Sequence, residues 1–312
     1  MTPHKIIAVV GATGAQGGGL ARAILAHPDT GFRVRAITRD ATSVAARTLA
    51  CAGADVVTAD LSDPASLASA LRDAWGAYFV TCFWAHLCPA TEKHEARTMA
   101  AAARLANVRH VIWSTLEDTR SPAAPRGSYN VPHCDAKGEA DGYFRELGVP
   151  TTFLRTSFHW ENFIHHGVGP RHGPHGNLVL TLPMGTSRLA GIAAEDIGRC
   201  AFGIFREGID NIGRTIGIAG EHLTGDEMAA KMGRSTGHAT TYHASCPDRY
   251  RALASPGALE MGNWFQYQRD TEAEYCAARS VERSRSLNPQ LQTFDTWLAV
   301  NAGRIPISVV TY

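Results

Sequence analysis

The residues best suited to chemistry in this 312-residue sequence sit near its start, where Gly11-Ala12-Thr13-Gly14-Ala15-Gln16-Gly17 follows the apolar run Ile6–Val10. A strand, a glycine-rich turn and a helix in that order set backbone amides around a phosphate, helped by the helix dipole. Gly11 permits the tight turn, Gly14 the close approach of a pyrophosphate, and Gly17 close packing of helix on strand. Thr13, Ala15 and Gln16 complete the set expected to line a dinucleotide. The next segment to read is Ile37-Thr38-Arg39-Asp40. An NAD site usually places an acid at the end of the second strand, whereas an NADP site offers arginine. Arg39 comes first after the strand and suits a 2′-phosphate, with Thr38 adding a hydroxyl. Arg35 lies mid-strand and is the lesser candidate. Asp40 is the counter-argument, since a strand one residue longer would hand it to the ribose. The expected cofactor is NADP(H), with Asp60 and Leu61 beside its adenine.

Those residues need a scaffold, and the first half of the chain supplies a repeating pattern. Strands are predicted at Ile6–Val10, Arg33–Ile37, Asp55–Thr58, Ala77–Thr81, His110–Ser114 and Thr151–Leu154. Helices are predicted near Gly17–Ala26, Ser43–Ala52, Ser66–Leu71, Thr91–Ala106 and Lys137–Leu147. Short apolar strands alternating with helices imply βαβ units and a parallel sheet. Asp63-Pro64 marks a helix start, and Gly53 and Gly148 suit left-handed helix ends. Later come a strand at Leu178–Leu182, a helix at Glu195–Phe205 and a strand at Thr215–Ala219. Thr224-x-x-Glu227 reads as a capping box opening a helix through Lys231, and further helices are predicted near 257–268 and 290–300. The fold expected is α/β: a Rossmann-type doubly wound parallel sheet with a smaller mixed C-terminal lobe. Residues 1–157, plus about 190–220, form the dinucleotide-binding domain; 158–189 and 221–312 form the lobe.

Composition excludes several classes. A net charge of +1 gives no electrostatic case for nucleic acid. No run approaches the roughly 18 apolar residues of a membrane helix, and Met1-Thr2-Pro3-His4-Lys5 leads straight into the first strand, so a cytoplasmic protein without a signal peptide is expected. Seven cysteines without a Cys-x-x-Cys pair fit reduced thiols; Cys82 and Cys88 are the one close pair. The stretch containing His165, His166, His172 and His175 is broken by Gly and Pro and has no acidic partner at ligand spacing, so no metal is expected. Phe83, Trp84, His86, His159, Trp160 and Trp264 are candidates for an aromatic pocket or for plain core packing.

The glycine loop, Thr38-Arg39, Asp60 and Thr81 in order resemble an atypical short-chain dehydrogenase/reductase of the NmrA-like family. Ser114-Thr115-Leu116-Glu117, Lys137-Gly138-Glu139, Tyr143-Phe144-Arg145, Gly148-Val149-Pro150, Glu161-Asn162-Phe163 and Pro256-Gly257-Ala258 extend the likeness over nearly the whole chain, toward its NADPH-sensing members. The resemblance implies a cleft between domain and lobe, a contact from Lys137 to the nicotinamide ribose, and Phe158 to Asn162 beside the nicotinamide. It also exposes a departure. Short-chain dehydrogenases use Tyr-x-x-x-Lys, in which the phenol passes a proton to a carbonyl oxygen. Here His133 stands four residues before Lys137, and Tyr129 is eight residues away. Two readings follow. In the first, the protein is an NADPH-dependent reductase of an electron-poor small molecule (a quinone, activated alkene, aldehyde or iminium), with Lys137 and His133 as catalytic candidates. In the second, it is a redox sensor reporting the cofactor's state to a regulatory protein partner. Either way it is expected to be a monomer or homodimer that binds neither membrane nor nucleic acid.

Overall fold

The structure, a computed structural model, describes residues 4–120, 129–173, 176–253 and 257–307. Its strands in chain order are β1 (Lys5–Val10), β2 (Phe32–Thr38), β3 (Asp55–Thr58), β4 (Ala74–Phe79), β5 (His110–Thr115), β6 (Thr151–Arg155) and β7 (Phe158–His159). They continue as β8 (Arg171–His172), β9 (Leu178–Leu182), β10 (Leu189–Ile192), β11 (Thr215–Gly217), β12 (Glu221–Leu223) and β13 (Thr240–Ala244). The helices are α1 (Ala15–Leu25), α2 (Val44–Cys51), α3 (Pro64–Ala70), α4 (Pro89–Leu105), α5 (Pro132–Glu146), α6 (Asn162–His165) and α7 (Ala194–Glu207). After them come α8 (Gly225–Thr236), α9 (Pro247–Arg251), α10 (Ala258–Asp270), α11 (Glu272–Ala277), α12 (Val281–Leu287) and α13 (Phe294–Asn301).

Seven strands form one parallel sheet in the order β3-β2-β1-β4-β5-β6-β11. The order reverses between β1 and β4, and a doubly wound sheet opens a ligand crevice at the carboxyl end of that switch point. Buried aliphatic residues such as Ile7, Val9, Val34 and Ile112 hold this sheet between its helical layers. α1 and α7 pack without room between them. A Cβ on Gly198 would lie 2.1 Å from the Leu20 nitrogen, and one on Gly19 would lie 2.4 Å from the Glu195 carbonyl. Two small sheets, β12-β10-β7 and β13-β9-β8, build the mixed lobe. Leu189–Ile192 therefore pairs in a small sheet, while the helix directly after it packs on α1. Among the described residues, no helix is long and apolar enough to cross a membrane.

Local signals placed most boundaries. Asp63 caps α3 through the Ala65 and Ser66 amides, Gly53 and Gly148 take positive φ, and Thr224 with Glu227 forms the capping box of α8. That helix runs on to Thr236, past the expected Lys231. Two differences bear on the site. β4 starts at Ala74 rather than Ala77, because Gly76 stays in the strand where Ile7 and Phe205 crowd it; Thr81 then lies beyond the strand. Helix α5 starts at Pro132 rather than Lys137, using proline at its first turn. His133 and Lys137 consequently share a helix, and Tyr129 stays outside it.

Candidate functional site

The glycine loop leaves β1 with Gly11 at φ +68 and enters α1 at Gly14, whose backbone is extended and makes no side-chain cap. The first amides of α1 are thus left for an external acceptor. Added carbons would fill this cradle: a Cβ on Gly17 would stand 2.5 Å from the Gly11 carbonyl oxygen, and one on Gly14 3.2 Å from it. Thr13, Gly14 and Ala15 are exposed. Gln16 is different, because its Oε1 accepts from Tyr78 Oη at 2.8 Å and Ser114 Oγ at 2.9 Å. Its side chain pins the loop to β4 and β5, which leaves its backbone amide for a phosphate.

At the end of β2, three polar candidates are already occupied and one is not. Arg35 donates to Asp55 at 2.7 Å and to the carbonyls of Ala70 and Arg72. Asp40 accepts from the Thr42 amide at 2.8 Å and its hydroxyl at 2.6 Å, contacts that hold its carboxyl below the usual range. Thr38 bonds the Asp40 backbone. Arg39 is exposed and makes no hydrogen bond or ion pair among the described residues. Asp60 closes a turn after β3 through Ser62, which holds its carboxyl down, and Arg39 lies close enough to act the same way. Leu61 is half-buried beside it. The charge of Arg39 and the glycine cradle fit a dinucleotide carrying an extra phosphate.

The other half of the crevice gathers residues from distant parts of the chain. Lys137 Nζ donates to Thr81 Oγ1 at 2.6 Å and lies 2.7 Å from Glu92 Oε1. Thr81 Oγ1 in turn donates to Glu92 Oε1 at 2.5 Å, and Glu92 is wholly buried. One turn earlier on α5, Glu260 of α10 accepts from both the His133 amide, at 2.9 Å, and His133 Nδ1, at 2.5 Å. Three aromatic rings surround this imidazole: Trp264 at 5.2 Å, Trp84 at 5.5 Å and Phe83 at 6.0 Å between centroids. Phe158 is buried against Trp264 and Phe265. Asn162 opens α6, and its side-chain amide makes no hydrogen bond among the described residues. Burial lowers the His159 imidazole to about 4, with the charges of His166, Lys137 and His133 adding to the effect.

Of the aromatic candidates, Phe83, Trp84 and Trp264 converge on His133, whereas Trp160 packs with Phe294 and Trp297 inside the lobe. His165 ends the short helix α6 and His166 caps it, His172 lies in β8, and His175 and Pro256 lie outside the described residues. Sequence reasoning missed Glu92 and Glu260. Each sits in the first turn of a helix, where acidic residues are ordinary. That generic signal hid two residues with specific long-range partners.

Comparisons with known proteins agree with this fold. The sequence pattern of the NmrA-like family matches residues 3–298. The NmrA-like family domain-containing oxidoreductase FrzB of Cladobotryum sp is 31% identical over 300 residues, covering 89% of this chain and 88% of that protein. In the crystal structure of NmrA, a negative transcriptional regulator, the same fold recurs with a TM-score of 0.77 at 20% identity, over 95% of both chains. Triphenylmethane reductase of Citrobacter sp., complexed with NADP(H), superposes with a TM-score of 0.75 at 18% identity, over 96% of this chain and 99% of that one. The chain belongs to the NmrA-like family.

Proposed function

We infer that the protein is an NADP(H)-dependent oxidoreductase that reduces an electron-poor small molecule without the tyrosine acid of ordinary short-chain dehydrogenases. The single observation that carries this reading is the pairing of a free Arg39 and glycine cradle with an aromatic-walled histidine held by a carboxylate. FrzB bears the name oxidoreductase, and triphenylmethane reductase binds NADP(H) on the same fold. In this chain Gly11, Thr13, Gly14, Ala15, Gln16 and Gly17 would hold the pyrophosphate through backbone amides, with Thr38 and Arg39 on the 2′-phosphate. Asp60 and Leu61 would flank the adenine, and Thr81, Lys137, Phe158 and Asn162 the nicotinamide end. NADPH, when bound, supplies a hydride.

The residues around it have separate duties. Lys137 orients the ribose and places a positive charge where negative charge develops on an accepting oxygen. His133 Nδ1 is committed to Glu260, so Nε2 is the nitrogen left to deliver a proton. Phe83, Trp84 and Trp264 keep water from the reacting atoms and offer flat faces to a planar acceptor. Behind Trp84 a cavity of about 110 Å³, lined by Val168, Val179, Tyr250, Leu253 and Met261, leaves room for an apolar extension. An acceptor that is already a good electron sink needs little acid help, which is why a quinone, activated alkene, aldehyde or iminium fits better than a simple ketone.

The test is to mix the protein with NADPH and a panel of these acceptors and follow cofactor absorbance. Turnover with at least one class is expected, slowed in His133→Ala for acceptors whose reduced form must take up a proton and nearly unchanged for an iminium, which needs none. No turnover across the panel, together with tighter binding of NADPH than of NADP⁺, would replace this reading with the sensor reading.

A further inference from the structure

The geometry points to Glu92 as the positioning residue of this site: a buried carboxylate, faced by His86, that holds the Lys137 ammonium against Thr81. The inference rests on the reading that Lys137 works at the cofactor. Glu92 projects from the first turn of α4 and has no exposed surface. Its Oε1 takes two short contacts, from Lys137 Nζ and Thr81 Oγ1. Among the described residues neither its Oε2 nor His86 Nε2, 3.3 Å away, makes a hydrogen bond, so the two face each other without a formed bond. A charge this deep is costly unless it is paired, so the position is specified by what it holds.

The proton on His86 decides what the cluster is for. His86, Glu92 and Glu95 bring one ligand atom each within 4.8 Å of one another, a spacing that would suit a divalent cation. However, the Cys88 amide donates to His86 Nδ1 at 3.0 Å, so that nitrogen is an acceptor and the ring proton sits on Nε2. A nitrogen bearing a proton cannot ligate a metal, but it can face a carboxylate oxygen. Leu87 takes φ +53 between the two, an unfavourable left-handed conformation for a branched residue. The turn it makes is what aims the Cys88 amide back at the imidazole. Glu95 completes the set of titratable groups facing Glu92, and its carboxyl is pushed up by burial and by the Glu92 charge.

Because Glu92 acts through Lys137, its effect should vanish when Lys137 is gone. The experiment is a double-mutant cycle on the full-length protein, Glu92→Gln, Lys137→Met and both, read as the NADPH dissociation constant by nicotinamide fluorescence. Each single change should weaken NADPH about tenfold or more, the scale of a charged hydrogen bond. The double variant should be no weaker than Lys137→Met alone, within about twofold. Losses that simply multiply would overturn the proposal. So would normal binding in Glu92→Gln beside weakened binding in Lys137→Met, which leaves the Lys137 reading intact; normal binding in Lys137→Met sinks both. If Glu92→Gln shows no melting transition, Glu92→Asp is read in its place. It keeps the charge one methylene short, and its binding should fall between the wild type and Lys137→Met. Zn²⁺ binding that His86→Ala abolishes would assign the cluster to a cation instead.

Discussion

The two halves of the crevice are built in opposite ways. On the β1–β2 side the glycine loop, Thr38, Arg39 and Asp40 are near neighbours in sequence, and their turns are closed by bonds two or three residues long. On the β4–β5 side Lys137 meets Thr81 from 56 residues away, and His133 meets Glu260 from 127 residues away. The first half is an anion cradle made of backbone; the second is a set of long-range side-chain pairs, of which His133 with Glu260 exists only after the lobe has folded. Damage to the first should therefore change affinity for the cofactor and little else, whereas damage to the second should couple chemistry to stability.

The largest effect expected is on the local side. Gly17→Ala places a carbon 2.5 Å from the Gly11 carbonyl and 2.8 Å from that of Val10, both backbone atoms that cannot swing away. Overpacking against a fixed turn costs about 1–3 kcal/mol of folding stability, and because any relief moves the amides of the cradle, NADPH titration should show an affinity loss of about tenfold to a hundredfold. The same overpacking should lower the melting transition, whereas the burial of Trp264, read by tryptophan fluorescence, should change little if the halves are independent. A variant that binds NADPH normally would mean that the loop relaxes and that the cradle is not set by Gly17.

The non-local side offers a pH test. Asp141 lies one turn beyond Lys137 on α5 and accepts from Trp113 Nε1 at 3.0 Å and Thr115 Oγ1 at 2.7 Å. Burial pushes its carboxyl up from 3.8 to about 6. The folded state thus prefers the neutral acid, and that contribution is fully present below about 4 and lost as pH rises through about 6. The difference corresponds to roughly 3 kcal/mol. Asp141→Asn keeps the acceptor without the ionisation, so urea denaturation should show the variant gaining on the wild type between about pH 4 and pH 6 and holding that gain above it. A gap that stays constant with pH would show that Asp141 is not what the helix holds neutral.

Which parts were readable from sequence follows the same division. Helix caps, the glycine turn and the free arginine announce themselves because their causes lie within a few residues; Asp63, Thr224 and Gly148 each landed where local chemistry put them. The start of α5 falls five residues before the expected Lys137 because Pro132 opens the helix, which puts His133 on the same face as Lys137, as its i, i+4 spacing implied. Glu92 and Glu260 were missed for a deeper reason. A first-turn glutamate looks the same whether it faces water or a lysine, and only the topology that sets α4 against α5, or α10 across the crevice, tells them apart.

The smallest effect is the one that tests the cofactor itself. Arg39 is free, while Asp40, its rival for the ribose, spends its carboxylate on Thr42. Removing Arg39 therefore breaks no hydrogen bond among the described residues, only the through-space pull on Asp60, and the loss should reflect chiefly its bond to the phosphate. For a charged hydrogen bond that is about 1.5–3 kcal/mol, or roughly 10- to 150-fold. Arg39→Ala should weaken NADPH by that amount and leave NADH nearly unchanged, since NADH has no 2′-phosphate to lose. The preference should also fade as salt is raised, because an exposed charge pair is screened. Adding Asp40→Ala sharpens the result. If Asp40 only closes its turn, the double variant should treat NADPH and NADH as Arg39→Ala does. A further fall in NADH binding alone would return Asp40 to the ribose, and the local half of the crevice would then be an NAD site with a misplaced arginine.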